Sequence, residues 1–413
     1  METTSLASST SQPSPLSDSP RPSVSERLFL RALGQLQGGC LRINFPSGAY
    51  VQVGQAADAP IELTIHTPAF FRKVFAGGSV GLGEAYVDGQ WDTSDLSKLL
   101  TLLAKNHRAL GRVQFGFSIA AQKMNQLYHR ARRNTQEQSR ANIQEHYDLS
   151  NAFYGTFLDA TMTYSCALFH SEAETLEQAQ WNKIDRILDL ADLKAGDHVL
   201  EIGSGWGALA QRAAERGCLV KTITLSEEQF DYAKARFQQA GVADRVEIVL
   251  QDYRTLQGQF DAVVSCEMIE AVGHEYLESY FQIIQQSLKP SAKSVIQGIT
   301  IPDERYERYC HSCDWIQKYI FPGGHLPSPS AIKNSVSQAG DMTVLAMDPF
   351  GKDYAETLRR WAVEFNANQS AVNQLGFDAE FCRKWNYYLS YCEAGFTAGL
   401  IDVQHVVLQR GAE

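Results

Sequence analysis

The residues best suited to chemistry lie mid-chain, where His198-Val199-Leu200-Glu201-Ile202 runs into Gly203-Ser204-Gly205-Trp206-Gly207. An apolar strand delivers glycines to a helix beginning near Ala208. Bare backbone N–H groups at a helix N-terminus can then approach a ligand closely. The spacing is G-x-G-x-G; a dinucleotide fingerprint needs G-x-G-x-x-G beneath a pyrophosphate. Glu201, two residues before the first glycine, suits a cation better than a diphosphate. Gly203, Gly205, Gly207 and Glu201 together point to S-adenosylmethionine (AdoMet), whose sulfonium and amino groups are positive.

The next two strand ends fit that ligand. Thr224-Leu225-Ser226-Glu227-Glu228-Gln229 falls where ribose is gripped in such sheets, about 20 residues on. Gln229 and the Thr224/Leu225 backbone are the candidates there. Gln251-Asp252-Tyr253-Arg254 supplies Asp252 for the adenine amino edge and the Tyr253 ring for its face. Upstream, residues 144–151 and 158–166 are rich in polar and aromatic side chains, among them Tyr164, Ser165 and Cys166. A segment lying over the carboxyl end of a sheet would act as a lid on the ligand.

The elements that must position these groups alternate regularly. Strands are expected at 198–203, 219–225, 246–250, 260–265, 294–301 and 343–348, with helices at 175–190, 206–217, 226–240 and 275–288. That repetition makes a doubly wound, Rossmann-like α/β sheet. Two helical stretches, 353–373 and 378–398, and a last strand near 401–409 complete a catalytic domain over 141–413. Residues 1–25 are Ser/Thr/Pro-rich and read as disordered. Residues 26–106 form a small α+β accessory domain for lipid binding or dimerisation. Its strands are 41–45 and 61–65; Phe70, Phe71 and Val74 lie at helical spacing; Gly77-Gly78 and Gly81-Leu82-Gly83 are expected to break the chain. Residues 107–140 read as a basic helical linker that could meet anionic lipid headgroups.

A net charge of −10 argues against a nucleic-acid partner. No apolar run reaches the roughly 20 residues of a spanning helix, and no secretory signal is expected. The 8 scattered cysteines read as reduced thiols in a cytosolic protein. Cys310-His311-Ser312-Cys313 is a C-x-x-C without the second pair a zinc site needs, so no metal is expected.

Several runs resemble the cyclopropane-fatty-acyl-phospholipid synthases and mycolic acid cyclopropane synthases. They are His146-Tyr147-Asp148-x-Ser150-Asn151, Tyr164-Ser165-Cys166, Gly203-x-Gly205-Trp206-Gly207, Asp252-Tyr253-Arg254, Glu270-x-Val272-Gly273, Tyr319 to Gly324 and Tyr354-x-x-Thr357-Leu358-x-x-Trp361. Glu84 to Asp92 more weakly resembles that family's accessory domain. The resemblance implies transfer of the AdoMet methyl to a cis double bond of a phospholipid acyl chain. A bound bicarbonate would then remove a proton as the ring closes. It implies AdoMet contacts from Tyr164, Ser165, Gly203, Gly205, Leu225, Gln229 and Tyr253. Around the bicarbonate it implies Cys166 and Ile299 (backbone), Glu270 and Tyr354. Cys392 matches the family's active-site cysteine. A cytoplasmic enzyme at the inner membrane face is expected, with the oligomeric state open and a homodimer one option.

The chemistry suits these residue types. An alkene is a weak nucleophile, so the site must align it and exclude water. Aromatic faces stabilise a cation without attacking it; Tyr319, Phe321, Trp361, Trp385, Tyr387 and Tyr388 could line such a tunnel. Cys392 has no nucleophilic role in this reaction, and a thiol there is expected to pack or bind at the acyl site. One position departs from the family: Gln297 stands where many members carry His, although some branches, the plant-like among them, also have Gln. Gln can donate an N–H to an anion but cannot titrate. The product therefore stays open between a cyclopropane and a chain that undergoes a hydride shift and ends methylene- or methyl-branched. A small-molecule methyltransferase on the same scaffold is a further alternative.

Overall fold

The computed structural model describes residues 21–34, 36–54, 59–111 and 149–412. The chain divides into two compact units, residues 1–121 and 122–413. The tail to residue 20, most of the basic linker and the His146–Asp148 run lie outside the described residues.

The first unit holds a four-stranded sheet in the order β2-β1-β3-β4. These strands are β1 (Cys40–Asn44), β2 (Tyr50–Gly54), β3 (Ile61–Ile65) and β4 (Trp91–Thr93). β2 and β4 were not among the strands expected from alternation; β4 has only three residues. A helix starts at Val24, capped by the Ser23 side chain, so the described order begins slightly before the expected boundary at 26. The expected break falls at Gly78, whose non-helical backbone (φ 57°) divides the span Ala69–Val87 into two helical pieces across a kink, whereas Gly81 and Gly83 lie inside the second piece. Gly81 permits this, because a Cβ there would lie 2.1 Å from the Lys73 carbonyl oxygen. Phe29, Phe70 and Phe71 meet edge-on at 5.3 to 5.8 Å to form the core.

The second unit is built on a seven-stranded sheet in the order β10-β11-β9-β8-β5-β6-β7. The strands are β5 (His198–Ile202), β6 (Leu219–Thr224), β7 (Val246–Leu250), β8 (Phe260–Cys266), β9 (Leu288–Thr300), β10 (Met342–Pro349) and β11 (Asp402–Arg410). β5 to β9 pair in parallel. β11 is antiparallel to both β9 and β10. The period of two sorts side chains onto opposite faces. Val199, Val220, Val264, Val295 and Val407 pack under the helices Leu176–Leu190, Ala208–Glu215 and Glu227–Gln239. Leu200, Ile223, Val263, Ile296 and Val406 pack under Leu277–Ser287 and Pro329–Ala339. Both faces are thereby covered, as a parallel sheet requires. No described helix is long and apolar enough to cross a membrane.

Candidate active site

The glycine loop leaves β5 with three left-handed residues, Gly203 (φ 94°), Gly205 (φ 48°) and Gly207 (φ 89°). Gly207 caps the Ala208–Glu215 helix, and a Cβ there would lie 2.9 Å from Ala233 and Phe237. Gly205 differs, since a Cβ there would meet nothing within 4 Å. The loop therefore closes tightly on its helix while leaving open space at Gly205. That space at a helix N-terminus beside β6 and β7 fits AdoMet.

The flanking groups are arranged with differing freedom. Gln229 Oε1 accepts from the Thr224 hydroxyl at 3.0 Å, so both lie at the end of β6 with Leu225 half-buried between them. Tyr253 stands edge-on to Tyr280 at 5.4 Å, and burial pushes its hydroxyl up to about 12. Asp252 is less available for adenine than its position suggests. Its two oxygens hold the Arg254 guanidinium at 2.9 and 2.7 Å. Glu201 is buried and accepts from the Thr222 hydroxyl at 2.5 Å. Burial pushes its carboxyl up to about 8.

The expected lid is clamped from beneath by the Leu176–Leu190 helix. Gln180 donates to the Ser165 carbonyl at 2.9 Å, and Lys183 donates to the Ser165 hydroxyl at 2.7 Å. Trp206 Nε1 donates to Asn151 Oδ1 at 2.7 Å, tying the segment to the glycine loop. Tyr164 stacks beside Trp361 at 5.3 Å and shares a 2.7 Å hydroxyl contact with Tyr388. Trp385 lies 5.1 Å from Tyr388, and Phe321 5.9 Å from it. An aromatic wall thus adjoins the AdoMet loop. Tyr319 and Tyr387 instead pack around Trp315.

The anion site holds the largest departure. Cys166 N–H donates to Glu267 Oε1 at 2.8 Å, and Gln297 Nε2 donates to the same oxygen at 2.8 Å. The Tyr354 hydroxyl donates to Glu267 Oε2 at 2.5 Å. Ile299 N–H donates to Glu270 Oε1 at 2.5 Å. The groups expected around bicarbonate do converge, but each donor already serves a protein carboxylate. A bicarbonate would have no free donor among them and would face two carboxyls. The residues as arranged do not fit it.

Glu267 was missed in the sequence, although it sits three residues before Glu270 at the end of an apolar strand. Its backbone is left-handed (φ 51°), a conformation costly for a residue with a Cβ and concentrated at functional sites. Burial raises the Glu267 carboxyl above its ordinary value, against the pull of its donors. Glu270 is pushed up to about 8, first by burial and then by the neighbouring Glu267 charge. Three donors on Glu267 against one on Glu270 favour the negative charge on Glu267. Glu270 Oε2 is buried without a partner.

Two further residues support this arrangement. His405 Nε2–H donates to Gln297 Oε1 at 2.9 Å, across the β9–β11 register in which the two are direct partners. Burial pushes His405 down to about 3, so it is neutral. It thereby fixes which end of the Gln297 amide faces Glu267. Lys183 is a buried cation within electrostatic reach of Glu267, Glu201 and Cys166. Its place on the buried stripe Gln180, Lys183, Ile184, Ile187 was readable from spacing. Cys392 lies one turn beyond Tyr388 and is outside these hydrogen bonds. Burial pushes its thiol up, so it is not a ready thiolate.

This sheet and its glycine loop define an AdoMet-dependent methyltransferase. The model of the mycolic acid cyclopropane synthetase family matches residues 134–406, and the chain belongs to that family. It is 41% identical over 399 residues to the tuberculostearic acid methyltransferase UfaA1 of Mycobacterium tuberculosis, covering 94% of this chain and 91% of the relative. It is 35% identical over 370 residues to the cyclopropane-fatty-acyl-phospholipid synthase of Escherichia coli, covering 86% and 89%. A solved structure of the mycolic acid cyclopropane synthase CmaA1 complexed with SAH and CTAB superposes with a TM-score of 0.61 at 32% identity. That alignment covers 66% of this chain and 98% of the other.

Proposed function

We propose that the protein is a fatty-acyl C-methyltransferase that converts a cis double bond of a membrane phospholipid into a methylene-branched chain, with Glu267 as its internal base. The observation that carries this reading is the Glu267 carboxylate, seated on the donors otherwise expected to hold bicarbonate. The likeness to a tuberculostearic acid methyltransferase supports it.

Bound AdoMet supplies an electrophilic methyl on a sulfonium. The alkene π pair takes up that methyl, the sulfur–carbon bond breaks, and the neighbouring alkene carbon becomes cationic. Trp361, Tyr164 and Tyr388 present faces that stabilise positive charge without trapping it. A hydride then moves from the methylated carbon to its cationic neighbour, which places the cation beside the new methyl. Glu267 takes a proton from that methyl, and the C–H pair forms the exocyclic double bond. The sequence is redox-neutral; saturation to a methyl branch requires a separate reductant.

Cyclopropanation is the second reading, favoured by the likeness to the Escherichia coli synthase and by the retained Ile299, Glu270 and Tyr354. The two products have equal mass. The test supplies vesicles of an unsaturated phospholipid deuterated at both vinylic carbons and reads the product by NMR. A hydride shift gathers both deuteriums on one carbon and yields vinylidene protons. A cyclopropane with one deuterium on each of the two former vinylic carbons overturns the proposal.

A further inference from the structure

The C-x-x-C does not act as a pair: Cys313 Sγ donates weakly to the Asp314 carbonyl at 3.7 Å. Cys310, however, converges with two histidines from other segments. One ring nitrogen each of His274 and His325 and the Cys310 Sγ all lie within 4.8 Å of one another. Cys310 Sγ is 3.9 Å from His274 Nδ1. The Tyr306 hydroxyl sits between the imidazoles, 2.8 Å from His274 Nδ1 and 3.1 Å from His325 Nε2.

We infer that His274, Cys310 and His325 form a binding site for a divalent zinc ion, outside the methyl-transfer site. Two imidazoles and one thiolate are the ligand set of a borderline-soft cation that favours tetrahedral geometry. Bonds of about 2.0 to 2.3 Å require the three atoms to draw together by about 1 Å, within the reach of side-chain rotation. The positions suit this. His325 is buried, Cys310 half-buried and His274 exposed, so the ion has an entry path and an open fourth place. Tyr306, one helical turn before Cys310 on the Asp303–Cys310 helix, offers its oxygen there, or a water occupies it. Binding deprotonates the Cys310 thiol, which burial otherwise pushes up.

The ion would join three segments: the His274–Tyr276 turn, the Asp303–Cys310 helix and the loop after Gly324. His325 N–H also donates to the Glu270 carbonyl at 2.8 Å. Zinc would therefore stiffen the turn that carries Glu270.

The test uses the full chain stripped with a chelator and dialysed against zinc alone, with metal counted by mass spectrometry. Cobalt(II) serves as a spectroscopic probe of the thiolate. The expected results are one zinc per chain, a raised thermal midpoint and a sulfur-to-cobalt charge-transfer band. His274→Ala and Cys310→Ser should each weaken zinc binding at least tenfold, and Cys310→Ser should abolish the band. Cys313→Ser should change neither, and Tyr306→Phe reports whether the phenol is a ligand. His274 is exposed, so its variant remains informative if Cys310→Ser folds poorly. Zinc that stays substoichiometric, or that is held equally by His274→Ala and Cys310→Ser, overturns the site.

Discussion

Tyr354 donates its hydroxyl proton to Glu267 Oε2 across 2.5 Å, joining the Gly351–Ala367 helix to the turn after β8. With the Cys166 N–H and Gln297 amide on the other oxygen, this contact fixes a carboxylate in all directions. As the proposed base, a carboxylate held this way needs no reorganisation when the proton arrives. The Tyr354 ring is itself stacked on Phe396 at 4.5 Å, so the donor has little freedom to turn away.

Removing the base while keeping its shape should stop proton transfer. Glu267→Gln is expected to lower turnover by about 10²- to 10⁴-fold. AdoMet affinity, read by calorimetry, should stay within a factor of about two of the unaltered protein, since an uncharged isostere keeps the site's volume. Undiminished turnover would remove Glu267 from the chemistry.

His405 reaches Glu267 through Gln297. His405→Phe keeps a ring beside Phe350, which lies 4.4 Å from the imidazole, but leaves Gln297 Oε1 buried and unpaired. The expected cost is about 1 to 3 kcal/mol in stability by denaturant titration. The catalytic constant should fall while the KM for AdoMet holds. A change confined to stability would make His405 purely structural.

Lys183 anchors the lid through Ser165. Lys183→Met removes a charge-assisted hydrogen bond worth about 1.5 to 3 kcal/mol, so AdoMet should bind about 10- to 100-fold more weakly. Isothermal titration measures this; unchanged affinity would show that Ser165 is held without it.

The buried carboxyl of Glu201 makes stability depend on pH. Its folded value, pushed up to about 8, lies above its ordinary value near 4.5. The folded state therefore holds the proton more tightly than the unfolded chain. This contribution is present in full below about pH 4.5 and is lost as pH rises towards 8. Glu201→Gln stays neutral and should flatten the fall in stability between about pH 5 and 8. Glu270 contributes the same slope in both proteins and cancels in the comparison. Equal slopes would contradict the burial argument.

Much of this architecture was legible because parallel strands and their helices announce themselves by period. The edges expected for β5 to β8 and for the helices 175–190 and 226–240 match within one or two residues. The break at Gly78 was legible too, but the helix through Gly81 and Gly83 was not, because glycine spacing cannot reveal that Gly81 is required by a close approach to Lys73. In the site, the positions of Glu270, Ile299 and Tyr354 followed from motif likeness. Glu267 did not, because its role depends on a left-handed turn that swings the carboxylate under Cys166 and Gln297. Asp252 shows the converse: its place at a strand end was right, but the adjacent Arg254 occupies its oxygens.

The central claim, that a protein carboxylate replaces bicarbonate, is tested most directly by turnover of unsaturated phospholipid vesicles in bicarbonate-depleted buffer. The unaltered protein should lose no activity, and added bicarbonate should not raise it. Glu267→Gly relieves the left-handed backbone and frees the Cys166, Gln297 and Tyr354 donors, so its residual activity should rise with added bicarbonate. An unaltered protein that falls silent without bicarbonate and recovers when it is restored would contradict the account.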